Sequence, residues 1–203
     1  MLQAPTPKLI LASGSASRRA LLADAGLHFD VHRPKLDEAA AKVEARAMRL
    51  GAGDAALRLA DLKALTVAWQ QPDAVVIGGD QILECEGLWY DKPVDVAGAR
   101  GQLRSLRGRA HVLATAVVCW QGTARLWQHV ASPRLMMREF SDELLDAYLR
   151  EEGETVTSTV GAYRLEGRGV QLFDGIEGDY SAILGLPLLP LLAFLRQRGI
   201  LIV

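Results

Sequence analysis

The sequence predicts an α/β protein built on a mixed, twisted sheet flanked by helices. Two observations carry that prediction. Short aliphatic or β-branched runs alternate with Ala/Leu-rich stretches of helical period, and closely spaced strand pairs with turn residues between them sit in the middle of the chain. Alternation favours parallel pairing and hairpins add antiparallel pairs, so a mixed sheet is expected rather than an all-parallel one. The chain has 203 residues with no repeat, low-complexity tract or long linker, so residues 1–203 read as a single domain with a sizeable core.

Each element follows from local chemistry. Leu9 to Ala12 is an apolar run that reads as a buried strand, and Ser15 to Ala25 as a helix with Ser15 at its cap and Gly26 as its stop. Phe29 to Arg33 reads as a short strand. Ala39 to Arg49 and Asp54 to Trp69 are helical in period and are split by Gly51 and Gly53. Ala74 to Ile77 reads as a strand ending at Gly78-Gly79. Gln81 to Cys85 and Leu88 to Tyr90 flank Glu86-Gly87 as a hairpin. Val96 to Leu106 is helical, and His111 to Trp120 is a long strand with a second one after Gln121-Gly122. Ser141 opens "SDELLDAYL" as a capped helix. Gly161 to Leu165 reads as a strand, and Leu188 to Arg198 closes the chain as an amphipathic helix.

The bulk numbers exclude several function classes. A net charge of -1 gives no global basic excess, and the four tryptophans do not interleave with a basic stripe, so no nucleic acid is expected. The N-terminus "MLQAPTPK" lacks an apolar signal region, and no apolar run reaches about 18 residues. No membrane partner is expected, and a cytoplasmic location is. Cys85 and Cys119 stand alone, and the four histidines show no zinc spacing.

Local charge is more informative. "LASGSASRR" places Ser13-Gly14-Ser15 between a strand and a helix start, where exposed N–H groups attract anions, and Arg18 follows on the first turn. The same residues also fit an ordinary strand–helix turn. Asp80 follows Gly78-Gly79, where a carboxylate can hold a metal, take a proton from water, or merely close a turn. Lys92 in "YDKPVD" fits a phosphate clamp in a stiff loop or a solvated lysine. Lys63 fits a solvated helix face. Asp37-Glu38 fits N-capping or a carboxylate that binds metal or orients water.

Taken in order, "LASGSASRRALL", "LDE", "LADLKA", "GGDQIL", "DKP", "GRAHVLATAVV", "GAYRLEG" and "GDYSAILGLPLLPLL" resemble the Maf family of nucleotide pyrophosphatases, from about Leu9 to Leu192. The resemblance implies a fold similar to inosine triphosphate pyrophosphatase, with two lobes around a central cleft. It implies a hydrolase acting between the α and β phosphates of a nucleoside triphosphate, giving a monophosphate and pyrophosphate. It also implies a divalent metal (Mg, Mn or Co) and a house-cleaning role in nucleotide metabolism, and it leaves room for a homodimer. A non-catalytic nucleotide-binding regulator of septum formation or cell division is the alternative.

Matched residue by residue, the resemblance makes Asp80 the proton acceptor and Glu38, with Asp80, metal-associated. Lys63 and Lys92 become phosphate-facing, and Ser13, Ser15 and Arg18 the phosphate-binding loop. Three positions bear on specificity: Ser17, Gln81 and Glu166. Gln81 and Glu166 look like the branch acting on 7-methyl-GTP rather than the branch acting on dTTP and UTP. Ser17 departs from both, because the first branch tends to have Trp there and the second Arg. Ala16, where the loop usually has Pro, and Asp91, where "GKP" is usual, are smaller departures.

Overall fold

A computed structural model describes residues 2–202. Eight strands form one sheet in the order β2-β1-β3-β5-β7-β8, with β4 on β3 and β6 on β5. The chain divides into two compact units. The first comprises the residues up to Gln81, Thr115–Ala131, and Asp179 onward; the second comprises Ile82–Ala114 and Ser132–Gly178.

The first unit is the α/β part. β1 (Leu9–Ala12) pairs in parallel with β2 (Asp30–Val31) and with β3 (Val75–Cys85), in a register that sets Ala12 opposite Gly78. Between them run α1 (Ala16–Asp24), α2 (Glu38–Ala47) and α3 (Ala52–Ala68). Parallel strands need such helical crossovers, and they bury both sheet faces. β1 is accordingly buried at all four positions. Leu9, Leu11, Ile77, Val117, Leu191 and Leu195 share one core cluster. α7 (Leu188–Gln197) supplies part of that cluster; Pro187 caps it and Pro190 lies in its first turn, where a missing N–H costs nothing.

The second unit contains antiparallel pairing. β4 (Leu88–Tyr90) folds back on the end of β3, setting Leu83 opposite Tyr90. The start of β5 (Ala110–Gln121) pairs with β7 (Arg134–Met137), which pairs with β8 (Phe173–Glu177). α4 (Val96–Leu106) and α5 (Asp142–Glu152) begin at the side-chain caps Asp95 and Ser141. The rest of β5 belongs to the first unit and forms a hairpin with β6 (Ala124–Ala131). Among the described residues no helix is long and apolar enough to cross a membrane.

The mixed α/β class is the predicted one, with differences in detail. Only Asp30 and Val31 of the Phe29–Arg33 stretch enter the ladder. Gly161–Leu165 is not a strand. It begins in a 3-10 turn at Val160–Ala162, where Gly161 (φ 78°) and Ala162 (φ 61°) are left-handed, a conformation no ladder accepts. The runs Ala74–Ile77 and Gln81–Cys85 are parts of one continuous strand, so Asp80 lies inside β3 rather than in a turn after it. The sequence reading missed β7, β8 and the short helix α6 (Tyr180–Ile183). "RLMM" and "FDGIE" carry weak strand signals, one Met-rich and one with a central Gly.

Candidate active site

The site is assembled in the first unit, beyond the carboxyl end of β1. The chain leaves Ala12 through Ser13-Gly14-Ser15 and enters α1. Ser15 is the N-cap, with extended backbone, and its Oγ accepts the Arg18 N–H at 3.3 Å. Ser13 is buried, and its Oγ accepts the Ser15 N–H at 3.2 Å and Arg18 Nη1 at 3.2 Å. These two hydroxyls therefore brace the turn. The first N–H groups of any helix lack intrahelical acceptors, which leaves the backbone of the turn as an anion-attracting surface.

Arg18 ties the turn to the far end of the chain. It is only 8% exposed, and its Nε donates to the Gly185 carbonyl at 2.6 Å. Burial pulls its pKa down, opposed by the charges of Asp80 and Glu38. Two glycines leave room for the guanidinium. A Cβ on Gly79 would lie 3.2 Å from Arg18 Nε, and one on Gly185 3.4 Å from the same atom. Gly185 also has a φ of 102°, which only glycine adopts readily.

Asp80 is 5% exposed and Lys63 is equally buried. Lys63 Nζ donates to Asp80 Oδ1 at 2.6 Å and pairs with Glu38 Oε2 at 2.9 Å, so one ammonium bridges two carboxylates. The other oxygen, Asp80 Oδ2, is buried with no hydrogen-bond partner among the described residues. Such a carboxylate oxygen is costly unless something else supplies its partner. The pairing depends on close packing of α3 on β3, and Gly78 permits it. A Cβ there would come within 2.5 Å of the Ala60 carbonyl and 2.7 Å of Ala64 Cβ. Asp37 caps α2 by accepting the Ala40 N–H at 2.9 Å, which leaves the neighbouring Glu38 carboxylate for Lys63.

The structure thus brings together Ser13, Ser15, Arg18, Glu38, Lys63 and Asp80. Lys63 is not on a solvated face. Ser17 is half-buried on α1 and Arg19 is exposed. Gln81 Nε2 donates to Thr115 Oγ1 (2.8 Å), the Ala182 carbonyl (3.0 Å) and the Ile183 carbonyl (3.1 Å). Thr115, fully buried, also donates to the Ala182 carbonyl at 3.0 Å. Gln81 therefore holds α6 in place. Lys92 and Glu166 belong to the second unit. Lys92 is exposed on the loop after β4, and Glu166 pairs with Arg164 at 3.4 Å.

Sequence reasoning missed Thr115 and Gly185. Thr115 is one of many β-branched residues in its strand and gives no signal. Gly185 had one in "ILGLP", a glycine placed just before a proline-started helix.

A parallel-strand core with a helix-start turn, a buried arginine and a lysine-bridged carboxylate pair defines an α/β protein with a cluster of buried charge at a helix start. The chain belongs to the Maf-like family: the family described as "Maf-like protein" matches residues 8–198. A relative from Granulibacter bethesdensis, named nucleoside triphosphate pyrophosphatase, is 53% identical over 196 residues, covering 97% of this chain and 100% of its own. One of the same name from Rhodospirillum rubrum is 49% identical over 99% of this chain and 100% of its own. A third, from Rhizobium meliloti, is named 7-methyl-GTP pyrophosphatase and is 46% identical over 95% of this chain and 97% of its own.

Proposed function

We propose that this chain is a hydrolase that cleaves a nucleoside triphosphate between its α and β phosphates, releasing a nucleoside monophosphate and pyrophosphate. The observation that carries the reading is the Asp80 carboxylate, with one oxygen fixed by Lys63, which also pairs with Glu38, and the other buried without a hydrogen-bond partner among the described residues. The names of the near-full-length relatives support it.

In this reading Asp80 takes the proton of the attacking water. The water oxygen bonds to the α phosphorus as the α–β bridging bond breaks, and the electron pair leaves with pyrophosphate. Arg18 and Lys63 offset the charge that builds on the phosphate oxygens. Ser13 and Ser15 hold the turn that receives the phosphates.

The carboxylates fit a divalent metal. Among the described residues no cluster of three or more His, Cys, Asp or Glu could hold one. Mg²⁺, however, is commonly held by one or two carboxylates, with substrate phosphates and water completing its shell. Asp80 Oδ2 and Glu38 are the two that would hold it. Bound there, a divalent ion would lower the pKa of water and neutralise phosphate charge.

For the base, we read Gln81 and Glu166 as favouring 7-methyl-GTP, which agrees with the name of the Rhizobium meliloti relative. The test is pyrophosphate release from 7-methyl-GTP, GTP, CTP, dTTP and UTP in saturating magnesium or manganese. Fastest turnover of 7-methyl-GTP is expected. A preference for dTTP and UTP would reject the base assignment, and no pyrophosphate from any nucleotide would reject the activity.

A further inference from the structure

The charges of the site balance before any substrate arrives. Arg18 and Lys63 contribute two cations, and Asp80 and Glu38 two anions, all within one interacting group. Lys63 is committed to both carboxylates, and Arg18 is bonded to the Gly185 carbonyl and Ser13 Oγ. A triphosphate brings several negative charges, so its recognition calls for a further cation beside Arg18 and Lys63.

One lies over the turn. A Cβ placed on Gly14 would sit 3.4 Å from Arg33 Nε, 3.6 Å from Cδ and 3.8 Å from Cγ. The Arg33 side chain therefore runs along the space that Gly14 leaves open in Ser13-Gly14-Ser15. Its backbone is held there from both sides. The His32 N–H donates to the Leu11 carbonyl at 3.0 Å, continuing the β1–β2 pairing, and Pro34 restricts the residue before it to extended conformations. Arg33 is exposed, and among the described residues its guanidinium has no hydrogen-bond or ion-pair partner. Arg19 is also exposed, but it is on α1 and no such contact with the turn holds it.

We infer that Arg33 is a further substrate-binding residue, a guanidinium laid over the Gly14 turn to grip the phosphate chain of the nucleotide. The inference rests on the proposed nucleotide reading of this site.

The probe is inorganic tripolyphosphate, titrated calorimetrically at one fixed magnesium concentration into the wild-type chain, Arg33→Ala, Arg33→Lys and Arg19→Ala. Arg33→Ala should bind about tenfold more weakly, as expected for loss of a charge-assisted contact. Arg33→Lys should recover part of the loss, and Arg19→Ala should match wild type. With nucleotide, Arg33→Ala should raise KM about tenfold and leave kcat within about twofold, since the residue grips phosphate without taking part in proton transfer. Equal affinity of wild type and Arg33→Ala, including no binding by either, overturns the inference. So does equal weakening by Arg33→Ala and Arg19→Ala. Tripolyphosphate binding that depends on Arg33 in a chain that releases no pyrophosphate would sink the proposed activity and leave Arg33 standing. Pyrophosphate release abolished by Asp80→Asn, with Arg33→Ala binding as wild type, would do the reverse.

Discussion

The two units treat buried polarity in opposite ways. In the first, three ionised side chains are buried: Arg18, Lys63 and Asp80. In the second, the buried titratable groups are neutral. His111 is 1% exposed, its Nε2 lies 2.8 Å from the Tyr163 hydroxyl, and both rings pack against Phe173. Most charges of the second unit sit at the surface instead, where Arg104 and Arg107 meet Asp142 and Arg100 meets Asp146; the Glu152 side chain, 7% exposed, is the exception and pairs with the exposed Arg168. Burying charge costs several kcal/mol per ion unless partners offset it, and it stabilises a fold poorly. A unit that keeps three such charges together, with one carboxylate oxygen still unpartnered, is arranged for something other than stability. The neutral cluster of the second unit also leaves one buried atom, His111 Nδ1, without a partner among the described residues, but it buries no charge.

The sharpest way to break this comparison is Asp80→Asn. It keeps the shape and removes both the charge and the proton acceptor. Pyrophosphate release should fall by about a thousandfold or more, within the range of a lost general base. The far-ultraviolet circular dichroism spectrum should be unchanged. Retained activity in a folded variant would mean that the buried charge serves the fold after all.

Gly78→Ala tests whether the site depends on backbone proximity as well as on charge. The added methyl meets the Ala60 carbonyl and Ala64 Cβ far inside contact distance, so α3 must move away from β3. Overpacking of this kind costs about 1–3 kcal/mol or more. Because Lys63 is on α3 and Asp80 on β3, activity should fall together with the urea midpoint. A stable, fully active Gly78→Ala would show that the pair tolerates displacement.

That glycine also marks the boundary of what was legible beforehand. The strand–turn–helix start, Ser15 as cap and the mixed sheet follow from patterns a few residues long, and the structure keeps them. Asp80 and Lys63 are 17 residues apart, and each alone fits a surface role. Only their order among other motifs singled them out. Gly78-Gly79 reads locally as a strand end, yet β3 runs through it, because one glycine admits α3 and the next admits Arg18. Arg33 and Thr115 carried no signal, since their meaning lies in contacts made by the tertiary fold. β8 was lost for a similar reason: an exposed "FDGIE" has no apolar alternation and is a strand only because β7 pairs with it.

For the second unit, acidification is the more telling test. Burial pushes His111 from its ordinary 6.5 down to about 4, with the Arg109 backbone opposing. Between those values the unfolded chain takes up a proton that the folded chain refuses, so stability rises with pH across the window and is lost as pH falls through it. The full difference corresponds to about 3 kcal/mol. Urea unfolding from pH 7 to pH 4 should show this loss, and His111→Gln should flatten it. An unchanged slope in His111→Gln would mean that His111 is not the neutral buried group assigned to this unit.

The smallest effect is expected at the surface charges. Arg104, then Arg107, hydrogen-bond to Asp142 and hold its carboxyl well below the usual carboxylate range. A depressed acid contributes stability above its ordinary value near 3.8 and loses it as pH falls below that value, outside the His111 window. The Asp142 side chain is nevertheless 48% exposed, so water and salt screen the network. Asp142→Asn should leave the neutral-pH melting midpoint close to wild type and flatten only the part of the acid slope below that value. A large loss at neutral pH would show that the second unit, too, relies on its charges. The contrast between buried charge in one unit and neutral burial in the other would then no longer separate a chemical site from a structural one.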